Sequence, residues 1–305
     1  AHWKHAITLT RALVTPLEPL SVGARGTAFV DLVLPALLLA QERREILAGR
    51  NWRNLPMMAG LGLLIAANAL THAEAIGDTG TGPLGERLGI ATLVMMICLI
   101  GGRIIPSFTR NWLAKREASV LPTPFGGFDK LCLVGTLAAL AAWVAAPEAV
   151  PSAAVLLAAG FLNLLRLARW QGRQSLSEPL VWSLHLGFLW VPLGLLLLGF
   201  GLLLPETLPP TAGLHALTVG AIGLMTLAVM TRATLGHSGR TLAADSWTTA
   251  IYLGVTASAL LRVLASLLTG AYLPLLHSSG LFWSLAFLIF VLRYGPLHLT
   301  RRTAD

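Results

Sequence analysis

The stretch LHALTVGAIGLMTLAVMTRATLGHSGR at residues 214–240 decides the fold, because it reads as one long apolar helix with a histidine near each end. His215 and His237 are 22 residues apart, which corresponds to roughly 33 Å along an α-helix. That length is about the thickness of the hydrocarbon core of a bilayer. Because a histidine inside lipid is costly unless it faces protein, each of the two is a candidate for a site near one membrane face.

The composition of the chain indicates an integral membrane protein. Of its 305 residues, 55% are hydrophobic and only 12% are charged, whereas about 25% are charged in an ordinary soluble domain. The net charge of +8 suggests nucleic acid at first sight, but the basic residues lie between apolar segments, so membrane topology explains them better. Cys98 and Cys132 lie in apolar segments and form no CxxC or haem-attachment motif. We therefore expect a lipid bilayer, and no nucleic acid, as a partner.

Nine apolar segments are long enough, or nearly so, to cross a membrane, which predicts an all-α, polytopic transmembrane helical bundle. We expect a single integral membrane domain over residues 1–305. In this domain the spans occupy 27–294, residues 1–26 are the remnant of a truncated N-terminal region, and 295–305 form a basic cytoplasmic tail. The predicted spans are 27–41, 55–73, 85–105, 130–147, 151–168, 181–204, 212–233, 246–269 and 277–294.

Arginine and lysine residues follow every second span, and Arg87 is the one exception in the other connections. This alternation is the pattern of the positive-inside rule for nine spans with a cytoplasmic C-terminus. It predicts a multi-pass protein of the inner (cytoplasmic) membrane.

This orientation sorts the histidines into two groups. His72 and His215 lie at the outer face, with His277 as a weaker candidate, whereas His185 and His237 lie near the inner face. Imidazole nitrogen suits haem iron, copper and zinc, and histidines from different helices commonly hold a metal or cofactor in a bundle. The residue types alone do not separate these three metals.

Several arginines lie at the ends of predicted spans. Arg103 belongs to the block GGRIIPSFTRN at 101–111, and Arg232 and Arg240 flank His237. Arginines near a haem can pair with its propionates, as planar donors do with carboxylates. The alternative is that these arginines determine topology and contact lipid phosphates.

Arg262 is different, because it lies well inside the eighth predicted span. A charge at that depth should face the bundle or a cavity, with a carboxylate, a cofactor propionate or a helix C-terminal carbonyl as its partner. Asp31 and Asp245 are candidates, although neither is at an obviously matching depth.

Met225 and Met230 lie between the two histidines of the long helix and are interpreted as core rather than as metal ligands.

Five blocks of the sequence resemble the NnrS family, in the same order along the chain: RNWRNLP at 50–56, NALTH at 68–72, GGRIIPSFTRN at 101–111, WSLHLGFLWVPLG at 182–194 and HALTVGAIGLMTLAVMTRATLGHSGR at 215–240. The resemblance covers nearly the whole chain. It implies a haem- and copper-containing membrane protein linked to nitric oxide and to protection from nitrosative stress. Members are usually longer, so the chain is expected to lack its first spans.

The resemblance also implies which residues bind the cofactors. The implied metal ligands are His72, His185, His215 and His237, and the implied cofactor-binding arginines are Arg103, Arg232 and Arg240. The implied small-molecule partner is nitric oxide or a haem-linked ligand, and no electron donor is assigned. Which histidine binds iron and which binds copper stays open.

Three functions compete at this point. The first is the haem and copper protein of the nitric oxide response. The alternative is a membrane transporter of a metal, haem or a small anion, which predicts inverted repeats and broken helices near the midplane. The third is a scaffold or sensor with structural histidines. The chain contains no GxSxG, Walker or HExxH motif, and whether it is an enzyme is left open.

Overall fold

A computed structural model of the protein describes residues 23–77 and 79–299. In this part of the chain the regular structure is entirely helical, and nine helices are long and apolar enough to cross a membrane, which confirms the predicted all-α fold. Residues 1–22 of the expected remnant and 300–305 of the expected tail lie outside the described residues. The helices are α1 (Ala24–Gly49), α2 (Leu55–Gly77), α3 (Gly82–Ala114), α4 (Gly127–Ala145), α5 (Val150–Ala168), α6 (Pro179–Leu203), α7 (Pro210–His237), α8 (Ser246–Leu267) and α9 (Tyr272–Leu299).

Several helices continue past the charged residues at which the apolar segments end. Helix α3 runs to Ala114, so Arg103 and Arg110 are helical instead of lying in a connection, and α7 includes His237. Helix α9 starts earlier than predicted, which places His277 inside it. The long apolar stem of an arginine keeps its charge at the polar boundary while the backbone stays helical. Hydropathy therefore predicts the number of spans and underestimates their length.

The chain divides into two compact units, and the boundary lies between Gly89 and Ile90, inside α3. In the first unit α1 packs against α2, and the 3₁₀ turn Trp52–Asn54 connects them. At the other end of α2, Glu74 accepts a hydrogen bond of 2.8 Å from the backbone N–H of Thr81, which orders the connection to α3. The predicted single domain stays a prediction.

The second unit is a helical bundle whose core lies around α6 and α7. Helix α6 packs against α5 and α7, α4 packs against α5, and α8 packs against both α7 and α9. The connections between successive helices are short, which is typical of antiparallel neighbours. Fully buried apolar side chains fill the centre, among them Phe188 and Leu195 of α6 and Leu217 and Leu224 of α7.

The two ends of the second unit differ in charge. A hydrogen bond of 3.1 Å from the N–H of Thr123 to the carbonyl of Arg169 joins two connections at one end. The connections at that end contain five lysines and arginines, whereas those at the other end contain two glutamates and no basic residue. We define the basic end by the connections 115–126, 169–178 and 238–245, and the opposite end by 146–149, 204–209 and 268–271.

Helix α7 changes its geometry along its length. Its glycines permit close packing: a Cβ at Gly220 would lie 2.5 Å from ring atoms of Trp190, and one at Gly223 would lie 2.7 Å from the ring of Trp283. Its middle segment is π-helical and begins directly after His215. π-Helical segments are rare in proteins, and those that do occur often lie at functional sites. The segments are α-helix at Pro210–His215, π-helix at Ala216–Gly223 and α-helix at Leu224–His237.

The close packing of α7 predicts that Gly220→Ala destabilises the protein by about 1–3 kcal/mol, because the new methyl group would overlap the indole of Trp190. The matched control is Gly280→Ala in α9, where a Cβ meets nothing within 4 Å. The control should leave stability unchanged or slightly raised, since alanine favours the helix. The measurement is the apparent melting temperature in detergent, and equal values for Gly220→Ala and the wild type would contradict the described packing.

Candidate functional site

The segment GGRIIPSFTR at 101–110, in the half of α3 nearest the basic end, contacts several buried polar groups. Gly102 leaves room for the guanidinium of Arg166, which a side chain at that position would overlap. The ring of Phe108 lies under the guanidinium of Arg232, with 3.9 Å between its centre and Cζ. This block therefore organises the basic end of the second unit.

Arg166 and Asp129 form a buried ion pair at this end. Nε of Arg166 lies 3.0 Å from Oδ1 of Asp129, and the two side chains are 1% and 5% exposed. Nη1 of Arg166 donates to the carbonyl of Cys98 at 3.0 Å, and Oδ2 of Asp129 accepts from the N–H of Gly126 at 3.0 Å. The pair thus joins α3, α4 and α5 through hydrogen bonds of fixed geometry.

His185 lies in α6 and is 8% exposed, with its two nitrogens in different surroundings. Nε2 lies 2.7 Å from the hydroxyl of Thr109, which itself lies 2.8 Å from the carbonyl of Ile105. Because the hydroxyl donates its single proton to that carbonyl, it accepts from His185, and we infer that Nε2 carries the imidazole proton. Nδ1 has no hydrogen-bond partner in the described chain, and a Cβ at Gly172 would lie 2.5 Å from it. Neither nitrogen is open to a metal in this arrangement.

His215 lies towards the opposite end of the second unit, half-buried in α7. It is five residues after Pro210. Arg262 lies on the neighbouring helix, α8. Arg262 lies five residues before Leu267, so both side chains start roughly 7–8 Å from the end of their helix. Nη1 of Arg262 is buried and has no hydrogen-bond partner in the described chain.

The other candidate histidines differ in exposure. His237 is the last residue of α7 and is exposed, as is His277 in α9. In the first unit His72 is half-buried, and its Nε2 lies 3.2 Å from Oδ2 of Asp31. Among the residues that the structure describes, no group of three or more His, Cys, Asp or Glu side chains is arranged to hold a metal ion.

The arginines singled out by the sequence also have different surroundings. Arg103 and Arg240 are exposed, and Arg110 donates a hydrogen bond to the carbonyl of Pro122. Arg232 is half-buried, where its cation–π contact with an aromatic ring holds the guanidinium.

The two methionines of α7 have different positions. Met225 is 4% exposed and packs against Gly187, where a Cβ would lie 2.8 Å from its sulfur, which confirms the interpretation as core. Met230 is 42% exposed, so the same interpretation is wrong for it. The unbranched apolar side chain suits either position.

Asp245 caps the start of α8 and is a partner of Arg293 in α9, not of Arg262. Its Oδ1 accepts from the N–H and the hydroxyl of Thr248 at 2.8 and 2.6 Å, and its Oδ2 accepts from Nε of Arg293 at 2.8 Å. The hydroxyl of Thr248 also lies 2.6 Å from that of Tyr294. Burial acts to raise the pKa of Asp245, but the Thr248 hydrogen bonds and the Arg293 guanidinium outweigh it and lower the pKa to about 2.

The sequence analysis missed the partners of two buried groups. It counted Arg166 only among the basic residues at the end of the fifth predicted span, and it did not single out Asp129. The available signal was an acid at the start of one span and an arginine at the end of the next, which places both at the same depth. Thr109, the partner of His185, lies inside a quoted block, but a threonine carries no signal of its own on an apolar helix.

Over residues 23–77 and 79–299, nine helices long and apolar enough to span a membrane define a polytopic helical membrane protein. A family model with the description "NnrS protein" matches residues 5–302, nearly the whole chain. The chain therefore belongs to the NnrS family, which confirms the resemblance. Membership indicates a membrane protein of the nitric oxide response. No curated protein and no solved structure matches the chain significantly.

The buried ion pair predicts that Asp129→Ala destabilises the protein by about 3–5 kcal/mol, because Arg166 is left as an uncompensated buried charge. The matched control is Arg293→Ala, which removes one partner of an ion pair whose side chains are 44% and 36% exposed. Its cost should be about 0–1 kcal/mol. Apparent melting temperatures in detergent measure both effects, and an equally small loss in the two variants would show that the Arg166 pair does not hold the bundle.

The lowered pKa of Asp245 predicts a stabilising contribution that depends on pH. Folding lowers this pKa from 3.8 to about 2, so the charged carboxylate stabilises the folded state above about pH 4. The contribution is lost as the pH falls towards 2. Asp245→Asn keeps an N-cap acceptor but removes the charge, so it should melt below the wild type near neutral pH and approach it at about pH 2–3. A difference in melting temperature that is the same at every pH would contradict the assignment.

Proposed function

We propose that the protein is a haem- and copper-binding protein of the inner membrane that acts in the response to nitric oxide and protects the cell from nitrosative stress. Family membership supports the proposal. The structural observation that carries it is that the packed helices α7 and α8 bring His215 and Arg262 to similar depth, where the buried Nη1 of Arg262 has no hydrogen-bond partner in the described chain. Haem iron and copper are natural centres for binding nitric oxide, and a membrane suits an apolar gas.

His215 fits a haem better than the other histidines do. Haem iron needs one or two axial ligands, so a cluster of three ligating side chains is not required. A haem bound at this position would supply an iron that binds nitric oxide. His215 would hold it, and Arg262 would orient a propionate, because arginine pairs well with carboxylates.

The further residues of the proposed site have weaker support. The carboxylate of Asp31 beside His72 is typical of a group that orients a metal-binding imidazole, so we propose His72 first for copper. His185 would have to gain access at Nδ1, which is buried beside Gly172, before binding a metal. The remaining proposed cofactor residues are His237, Arg103, Arg232 and Arg240.

We also infer that the basic end of the second unit faces the cytoplasm. Its connections carry five lysines and arginines, and those of the opposite end carry none. The positive-inside rule places such connections in the cytoplasm. This orientation puts His215 and Arg262 in the outer half of the membrane.

A transporter of a metal, haem or a small anion is the second candidate. The π-helical segment Ala216–Gly223 favours it, because interrupted helices inside the membrane are typical of transporters. Uptake into proteoliposomes would distinguish this function, since a haem protein of the nitric oxide response needs no net transport.

The test is the visible absorption spectrum of the purified protein, oxidised and reduced, with and without nitric oxide. We expect a Soret band that shifts with nitric oxide and a loss of haem by roughly tenfold or more in His215→Ala, since the ligand is removed. The matched control His277→Ala changes an exposed histidine and should retain the wild-type spectrum.

Two results would contradict this proposal. A colourless protein, expressed with an adequate supply of haem, would exclude the haem assignment and favour the transporter. Equal haem content in His215→Ala and His277→Ala would exclude His215 as the ligand.

A further inference from the structure

The guanidinium of Arg262 has no counter-charge among the described residues of the second unit. Its side chain forms no hydrogen bond or ion pair with a described residue of that unit, and the hydrogen bond from Ser266 is to its carbonyl instead. Asp129 and Asp245 are paired with Arg166 and Arg293. The other described carboxylates of the unit are Glu117, Glu148, Glu178 and Glu206, none within ion-pair distance of Arg262.

The neighbouring hydroxyls do not satisfy Arg262 either. Ser258 lies one helical turn earlier on α8, on the same face as Arg262. Its hydroxyl bonds to the carbonyl and the hydroxyl of Ser279 at 2.9 and 3.1 Å, and Ser279 donates to the carbonyl of Ser258 at 2.9 Å. These two serines satisfy each other between α8 and α9.

His215 adds a second donor near Arg262. Helices α7 and α8 pack against each other and the two residues start at similar depth, so an imidazole N–H and a protonated guanidinium lie at the same end of these two helices. A cation would be repelled there. An anionic oxygen group can accept from both, and charge-assisted hydrogen bonds of this kind are strong away from water.

We propose that Arg262 and His215 form a binding site for one anionic oxygen group, a carboxylate, a phosphate or a small oxyanion, inside the bundle. Three sources supply this chemistry: a soluble anion, a phospholipid headgroup and a carboxylate of a bound prosthetic group. Only the third source rests on the proposed function. With either of the others the site stands without any haem.

The experiment compares the wild type with Arg262→Gln and Arg262→Lys in one detergent. Arg43→Gln is the matched control, because it removes an exposed arginine from a membrane helix, α1, and Arg43 has no part in the proposed sites. Titration calorimetry with sodium nitrate measures binding of a soluble anion. Native mass spectrometry after incubation with phosphatidylglycerol counts retained lipids, and transfer of haem to apomyoglobin gives its dissociation rate.

We expect one of these three readouts to change by about tenfold or more in Arg262→Gln, less in Arg262→Lys, and not in Arg43→Gln. Weaker nitrate binding identifies a soluble anion, loss of one lipid identifies a headgroup, and faster loss of haem identifies a prosthetic carboxylate. The proposal is overturned if no readout separates Arg262→Gln from Arg43→Gln. Arg262→Lys keeps the test valid if the glutamine variant does not fold, since it retains the charge and should retain part of the binding. A haem-free protein that binds nitrate through Arg262 would overturn the haem assignment and support this site.

Discussion

The ion pair between Arg166 and Asp129 is the constraint on which the basic end of the second unit depends. A charge buried this deeply in a membrane protein needs a partner of opposite charge and hydrogen bonds to its remaining donors. Arg166 obtains its counter-charge from α4 and one hydrogen bond from the backbone of α3, while its Nη2 has no partner in the described chain. These contacts require α3, α4 and α5 to meet near Gly102. The same stretch of α3 then places Phe108 under Arg232 and Thr109 beside His185. One helix thus sets the position of three polar contacts.

The opposite end of the second unit contrasts with this arrangement. There His215 and Arg262 lie at similar depth, and the buried Nη1 of Arg262 has no partner in the described chain. The helix that carries His215 becomes π-helical at the next residue, where glycines let the rings of Trp190 and Trp283 approach its backbone. Arg166 at the basic end has a carboxylate partner, whereas Arg262 has none among the described residues of the unit, which suggests a division between scaffold and binding site. The proposed cofactor and anion sites follow from that division.

Much of the fold could be predicted because hydropathy and charge alternation are local properties of the sequence. The number of spans and the placement of His215 and His237 on one helix are confirmed. The helix ends were predicted less well, because hydropathy stops at Arg103 and Arg232 whereas backbone hydrogen bonding does not. The π-helical geometry was not predicted, because it arises where α7 packs on its neighbours and leaves no periodicity in the sequence.

Partners across helices were the least predictable part of the candidate site. Asp31 and Asp245 were considered for Arg262, yet they contact His72 and Arg293. Their true partners depend on which helices are adjacent, and depth along a span does not determine adjacency.

The central claim is that His215 binds a haem, and its most direct test is electron paramagnetic resonance of the reduced, haem-loaded protein with nitric oxide. If His215 holds the haem, the wild type should show coupling to a histidine nitrogen in addition to that of nitric oxide, His215→Gly should lose that coupling, and added imidazole should restore it. An axial nitrogen signal in His215→Gly without imidazole would contradict the account.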